Sequence, residues 1–167
     1  GLYGYNCTMT IEDTLFLENK GEAEATGHGN VGGVVYGAYA QALGGGLYGK
    51  FCTATISRCV FRDNQTSTNS HSGFTKGSGG GVCQIKGSMV MTNSVVYSNN
   101  SSDFGDSPER SAGVHVDSTD KTVITNCVIV GNLSDSNDLN HGGGLFVWYS
   151  EPVVTNTIFW GNSGGGI

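Results

Sequence analysis

Apolar and polar residues alternate along short stretches of the chain. Ala54 to Phe61 reads Ala-Thr-Ile-Ser-Arg-Cys-Val-Phe, the period-2 pattern of a strand with one buried face. No ten-residue stretch has the 3.6 period of an amphipathic helix, so strands alone are expected. The alternation also repeats on a larger scale. The string Phe-x-x-Asn occurs at Phe16, Phe61 and Phe159, with aliphatic versions at Val96 and Ile129. Each copy ends in an asparagine: Asn19, Asn64, Asn99, Asn132 and Asn162. Five residues before each ring or aliphatic stands another apolar residue: Ile11, Ile56, Met91, Ile124 and Val154. Two before it stands a small residue: Thr14, Cys59, Ser94, Cys127 and Thr157.

Glycine strings mark the other end of each unit: Gly44-Gly45-Gly46-Leu47, Gly79-Gly80-Gly81-Val82, Ala112-Gly113-Val114, Gly142-Gly143-Gly144-Leu145 and Gly164-Gly165-Gly166-Ile167. The aliphatic residues after the glycines, starting from Leu2, are spaced by 45, 35, 32, 31 and 22 residues. A unit that shrinks to 22 residues while longer copies differ only between the Asn and the next glycines has a constant coil and one variable loop. The expected fold is therefore all-β: a right-handed parallel β-helix of about five coils with loops on one edge. Residues 1–167 form one such domain, a segment of a longer solenoid or a filament subunit. Stacking at about 4.8 Å puts like on like. Leu47, Val82, Val114, Leu145 and Ile167 form one buried column, and Phe16, Phe61, Val96, Ile129 and Phe159 another. The asparagines are expected as a ladder at a sharp corner with left-handed φ. Gly32-Gly33-Val34-Val35-Tyr36-Gly37 imitates the string at 44–49, so either can enter the first coil, and the connection from Lys20 to Leu43 can carry a strand of its own.

Composition narrows the function. The chain has 28 glycines, 2 prolines and only 13% charged residues, which excludes a helical bundle. A net charge of −6 with 8 scattered Lys and Arg argues against nucleic acid as a partner. No apolar window is long enough to span a membrane as a helix.

The glycine string followed by Phe-x-x-Asn resembles the repeats of chlamydial polymorphic outer-membrane proteins. More broadly, it is similar to right-handed parallel β-helix repeats of secreted and surface bacterial proteins in the pectate-lyase-like superfamily. The likeness runs through essentially the whole chain; the copies at Val96 and Ile129 lack the ring, and Ala112-Gly113 lacks a third glycine. It implies an extracellular or cell-surface protein. The superfamily serves lyases, glycosidases, adhesins and passive scaffolds alike, so it does not choose among them.

Several residues are candidates for chemistry. Alternation sends Tyr3, Tyr48, Cys83, His115 and Phe146 outward, followed two positions on by Tyr5, Lys50, Ile85, Asp117 and Trp148. Rings on such a face either stack on sugars or pack under neighbouring loops. His115 with Asp117, and Lys50, Asp106, Glu109, Arg110 and His141 around them, are an acid–base set assembled from scattered residues, with solvated loops as the plain alternative. Asp103 to Asp106 and Asp135-Ser136-Asn137-Asp138 crowd oxygens suited to calcium but match no calcium-loop motif; no other cofactor is expected. Five cysteines without a C-x-x-C pair disfavour zinc. Cys7 and Cys52 fall at equivalent places in adjacent coils, within disulfide reach or stacked as buried thiols, whereas Cys59 and Cys127 are two coils apart. Asn6, Asn64, Asn99, Asn100 and Asn132 head glycosylation sequons; Asn64, Asn99 and Asn132 belong to the corner column, where burial would block a glycan, and Asn100, just inside a loop, is the best acceptor.

Thr8, Thr10, Thr53 and Thr55 begin an array of the ice-binding kind that Ser88, Val90, Lys121 and Val123 do not continue. The leading expectation is a non-catalytic structural or adhesive module that associates through its open ends or with neighbouring solenoid segments. A carbohydrate-binding or carbohydrate-active domain using the aromatic face is the alternative.

Overall fold

The computed structural model describes residues 1–25, 29–31, 34–36, 40–70, 75–104, 110–134 and 141–164. Among them there is no helix, and nearly all strand pairing is parallel. Four sheets are built in the same order by the first four repeats, and among the described residues the fifth adds strands to the first two. The first aligns Leu2–Tyr5, Leu47–Ser57, Val82–Thr92, Val114–Asp117 and Leu145–Trp148. Thr8–Glu12, Lys121–Thr125 and Val153–Thr155 extend it along the second halves of the two long strands. The second sheet joins Leu15–Leu17, Val60–Arg62, Val95–Tyr97, Val128–Val130 and Ile158–Trp160. The third joins Lys20–Ala25, Gln65–Ser70, Asn100–Phe104 and Leu133–Ser134, and the fourth Ala40–Leu43, Thr75–Ser78, Arg110–Ser111 and His141–Gly142. Most of the variation in repeat length falls in the sequence between the third and fourth sheets; the repeat from Val114 also carries one extra residue before Lys121, so the coil is not wholly constant.

The register places equivalent residues side by side. Leu2, Leu47, Val82, Val114 and Leu145 are consecutive partners, as are Ile11, Ile56, Met91, Ile124 and Val154. Phe16, Phe61, Val96, Ile129 and Phe159 follow suit, with the first two rings stacked at 4.7 Å and 2°. Apart from the exposed Leu2 and Val154, these columns form the core, and each fully buried aliphatic in them contributes roughly 1.5–3 kcal/mol. Ile167, the last member of the first column, lies outside the described residues.

Leu47 pairs with both Leu2 and Val82, so the string at 44–49 is the one that enters the stack. Gly29–Val31 and Val34–Tyr36 pair antiparallel with each other instead. Gly32, Gly33 and Gly37 of the competing string lie outside the described residues.

The asparagines form the expected ladder, but not in the expected backbone conformation. Each side-chain Nδ2 donates to the next Oδ1, from Asn19 to Asn64, Asn99, Asn132 and Asn162, at 2.8–2.9 Å. The same Oδ1 accepts the preceding asparagine's backbone N–H at 3.0 Å. The second Nδ2 hydrogen reaches back to Phe16, Phe61, Val96 or Ile129 O. Left-handed φ belongs to the residue before each asparagine: Glu18, Asp63, Ser98, Gly131 and Gly161. That residue makes the corner, and the asparagine after it aims its amide along the stack.

Two further corners repeat in the same way, at Asn6, Phe51, Lys86, Ser118 and Tyr149, and at Asp13, Arg58, Asn93, Asn126 and Asn156. Every non-glycine residue with positive φ among the described residues lies on one of these three corners. The small-residue column follows the second of them. Thr14, Cys59, Ser94, Cys127 and Thr157 each donate to the carbonyl two residues earlier, so a thiol and a hydroxyl do the same work.

The glycine string and Phe-x-x-Asn are two halves of one contact. A Cβ at Gly46 would lie 3.1 Å from the Phe61 ring and 3.2 Å from Asn64 Nδ2. At Gly81 it would lie 3.0 Å from Val96 and 3.1 Å from Asn99 Nδ2, and at Gly144 2.8 Å from Asn162 Nδ2. Only a residue without a side chain lets the backbone close on the ring and ladder.

Candidate functional site

The outward face of the first sheet carries the candidate residues. Tyr3, Tyr48, Cys83, His115 and Phe146 are consecutive register partners, and so are Tyr5, Lys50, Ile85, Asp117 and Trp148. The expectation that both series are exposed fails in the middle. Cys83 and His115 have no solvent exposure and Ile85 only 8%, against 64% for Tyr3 and 58% for Tyr5. The chain leading into the glycines folds back against this column. A Cβ at Gly44 would lie 2.6 Å from Tyr48 Cβ, and one at Gly79 2.6 Å from Cys83 Cβ. His115 is further covered by the Phe146 ring, 5.0 Å away. Alternation predicts which way a side chain points, not whether another strand lies over it.

Two aromatic patches remain. At one end Tyr3 and Tyr48 lie 5.3 Å apart, and Tyr5 meets Phe51 edge-on at 5.7 Å. Lys86 and Lys50 hold their ammonium groups 5.1 and 5.9 Å from the Phe51 ring centre. Phe51, Lys86, Asn6, Ser118 and Asp120 line an open groove of about 420 Å³. At the other end Phe146, Trp148 and Tyr149 form a chain of ring contacts at 6.2 and 5.2 Å. Phe51, Lys86 and Tyr149 were not among the sequence candidates. All three sit on one left-handed corner, the position just after the Tyr5 to Trp148 series, and that fixed offset was the available signal.

The acid–base set does not form an open cluster. His115 is buried, Asp117 accepts a 2.7 Å hydrogen bond from the Ser118 hydroxyl, and Lys50 is two strands away, beyond Ile85. Arg110 and His141 are backbone register partners in the fourth sheet. Asp106 and Glu109 lie outside the described residues, as do Asp135, Ser136, Asn137 and Asp138 of the calcium candidates; Asp103 falls in the third sheet. Among the described residues no three His, Cys, Asp or Glu side chains converge as metal ligands.

Of the sequon asparagines, those in the ladder are closed to a glycan, as their place in the corner column predicts, which removes Asn64 and Asn132 as acceptors. Asn64 and Asn132 are fully buried with both amide hydrogens engaged, which leaves no nitrogen for a glycan. Asn99 is in the same situation. Asn100 lies half-buried within a strand of the third sheet rather than in a loop. Asn6 is exposed at a corner and remains a geometrically open acceptor.

Cys7 and Cys52 meet across adjacent repeats with their sulfurs 2.8 Å apart. The hydrogen bond to Cys52, helped by desolvation, raises the Cys7 thiol above its ordinary value of 9.0. Comparison with family models, curated proteins and solved structures finds no match for the chain.

Proposed function

We propose that the four parallel sheets are the faces of a right-handed parallel β-helix of about five coils, with its variable loops on one edge. Its repeats are similar to those of the chlamydial polymorphic outer-membrane proteins within the pectate-lyase-like superfamily. The protein then acts as a non-catalytic extracellular or cell-surface module, structural or adhesive, that associates with neighbouring stacked segments. The observation that carries this reading is the asparagine ladder. From Asn19 to Asn132 each repeat commits a side-chain amide to holding the next repeat, a use of sequence suited to a long stiff rod. Among the described residues Ile158 and Trp160, on the last strand of the second sheet, are 60% and 78% exposed, an apolar surface on which a neighbouring segment can stack.

Negative-stain electron microscopy of the concentrated chain tests this. Uniform rods that lengthen in steps of about 24 Å, five spacings of about 4.8 Å, are expected. Discrete particles of a single length at every concentration would sink the end-to-end assembly.

Sugar binding is the second reading, favoured by the exposed patch of Tyr3, Tyr5, Tyr48 and Phe51 beside two ammonium groups. It points to acidic glycans, which would lay a ring face on an aromatic and a carboxylate near Lys50 or Lys86. Titration with oligouronates should show binding that Tyr5→Ala abolishes.

A further inference from the structure

Five thiols are distributed over the repeats, and only two of them are neighbours. Cys7 and Cys52 precede the register partners Thr8 and Thr53, and Thr53 N donates to Cys7 O at 2.9 Å. Neighbouring positions on parallel strands have Cα atoms about 4.8 Å apart, inside the range a disulfide spans. The sulfurs already face each other at 2.8 Å. Gly4 leaves the room for this, since a Cβ there would lie 2.9 Å from Cys7 Sγ. The other thiols face different neighbours. Cys83 sits between Tyr48 and His115. The Cys59 N–H is held by Ser94 Oγ and the Cys127 N–H by Thr157 Oγ1, which places a hydroxyl residue beside each of these thiols in the stack.

We propose that Cys7 and Cys52 are an oxidisable pair that closes to a disulfide stapling the first repeat to the second. The inference stands on this geometry and does not depend on the function proposed above. The oxidant is a low-molecular-weight disulfide such as oxidised glutathione. Cys7, the more exposed of the two, attacks it as the thiolate, forming a mixed disulfide and expelling one glutathione thiolate. The Cys52 thiolate then attacks the Cys7 sulfur and expels the second. Two protein thiols are oxidised, one disulfide is reduced to two thiols, and the protons pass to the leaving thiolates. Because the hydrogen bond to Cys52 holds the Cys7 proton more tightly than usual, closure accelerates as pH rises.

The test is to incubate the full chain with oxidised glutathione, quench with acid, alkylate under denaturing conditions and map the peptides by mass spectrometry without reduction. The expected result is a chain lighter by two hydrogens before alkylation, three alkylated cysteines of the five, and the Cys7 peptide linked to the Cys52 peptide. Five alkylated cysteines, or a linkage through Cys59, Cys83 or Cys127, would overturn the proposal. In Cys52→Ser the reaction should stop with glutathione held on Cys7. Failure to trap that adduct would equally count against the assigned order of attack.

Discussion

Two columns of the stack behave in opposite ways. The ladder from Asn19 to Asn162 uses one residue type in all five repeats, whereas the column from Tyr3 to Phe146 uses Tyr, Tyr, Cys, His and Phe. Both lie in register at the same spacing, so stacking alone does not demand uniformity. What demands it is a hydrogen bond between like groups. An amide offers a donor and an acceptor to identical neighbours on both sides, and any other residue in the series leaves two partners unmet. The column from Tyr3 to Phe146 carries no such chain of like groups, so its residue type varies, and burial varies with it, from 64% exposure at Tyr3 to none at Cys83 and His115.

The contrast can be broken most forcefully at its centre. Asn99→Ala removes the acceptor of Asn64 N and Nδ2 and the donor to Asn132 Oδ1 and Phe61 O, all in a fully buried place. A loss of about 4 kcal/mol in urea unfolding is expected, from four hydrogen bonds whose partners stay buried. Asn162→Ala, at a half-buried position that water reaches, should cost about 1–2 kcal/mol. Equal losses at the two sites would mean that burial does not set the strength of the ladder.

A second pair of variants asks whether the glycines serve the ladder or only the backbone. Gly81→Ala would press a methyl against Gly113 O at 2.8 Å and Asn99 Nδ2 at 3.1 Å, for an expected loss of about 2–3 kcal/mol. Gly131 has positive φ but open space around it, so Gly131→Ala should cost about 1 kcal/mol, the backbone penalty alone. The smallest effect is expected on the variable column. Tyr3→Ala, 64% exposed, should shift stability by less than about 0.5 kcal/mol. A larger shift would give that column a structural role it does not share with the ladder's chemistry.

The same distinction explains how much was readable beforehand. Residues that repeat in type, the aliphatic columns, the Phe column and the asparagines, announced their register through spacing alone. The left-handed corner was misplaced by one residue because Glu18, Asp63, Ser98, Gly131 and Gly161 share no chemistry that marks them, while the conspicuous asparagine stands beside them. The covering of Cys83 was invisible because it depends on where the strand before Gly79 folds in space. Phe51 and Lys86 were missed because one-sided alternation stops at the strand's bend, and both residues sit on it. The choice between the strings at 32–37 and 44–49 needed pairing information that two similar motifs cannot provide.

The ladder also has a direction. Every amide from Asn19 to Asn132 donates toward the following repeat, and each from Asn64 to Asn162 accepts from the preceding one, so the amide dipoles run head to tail and reinforce one another. The Asn19 end of the row is therefore an acceptor, an oxygen that takes the Gly1 amine, and the Asn162 end a donor. Two copies brought together about a twofold axis would set oxygen against oxygen or hydrogen against hydrogen. Any contact that prolongs this row must be heterologous, tail to head, and such a contact does not close on itself as a symmetric dimer but leaves a fresh N–H or carbonyl at each outer end.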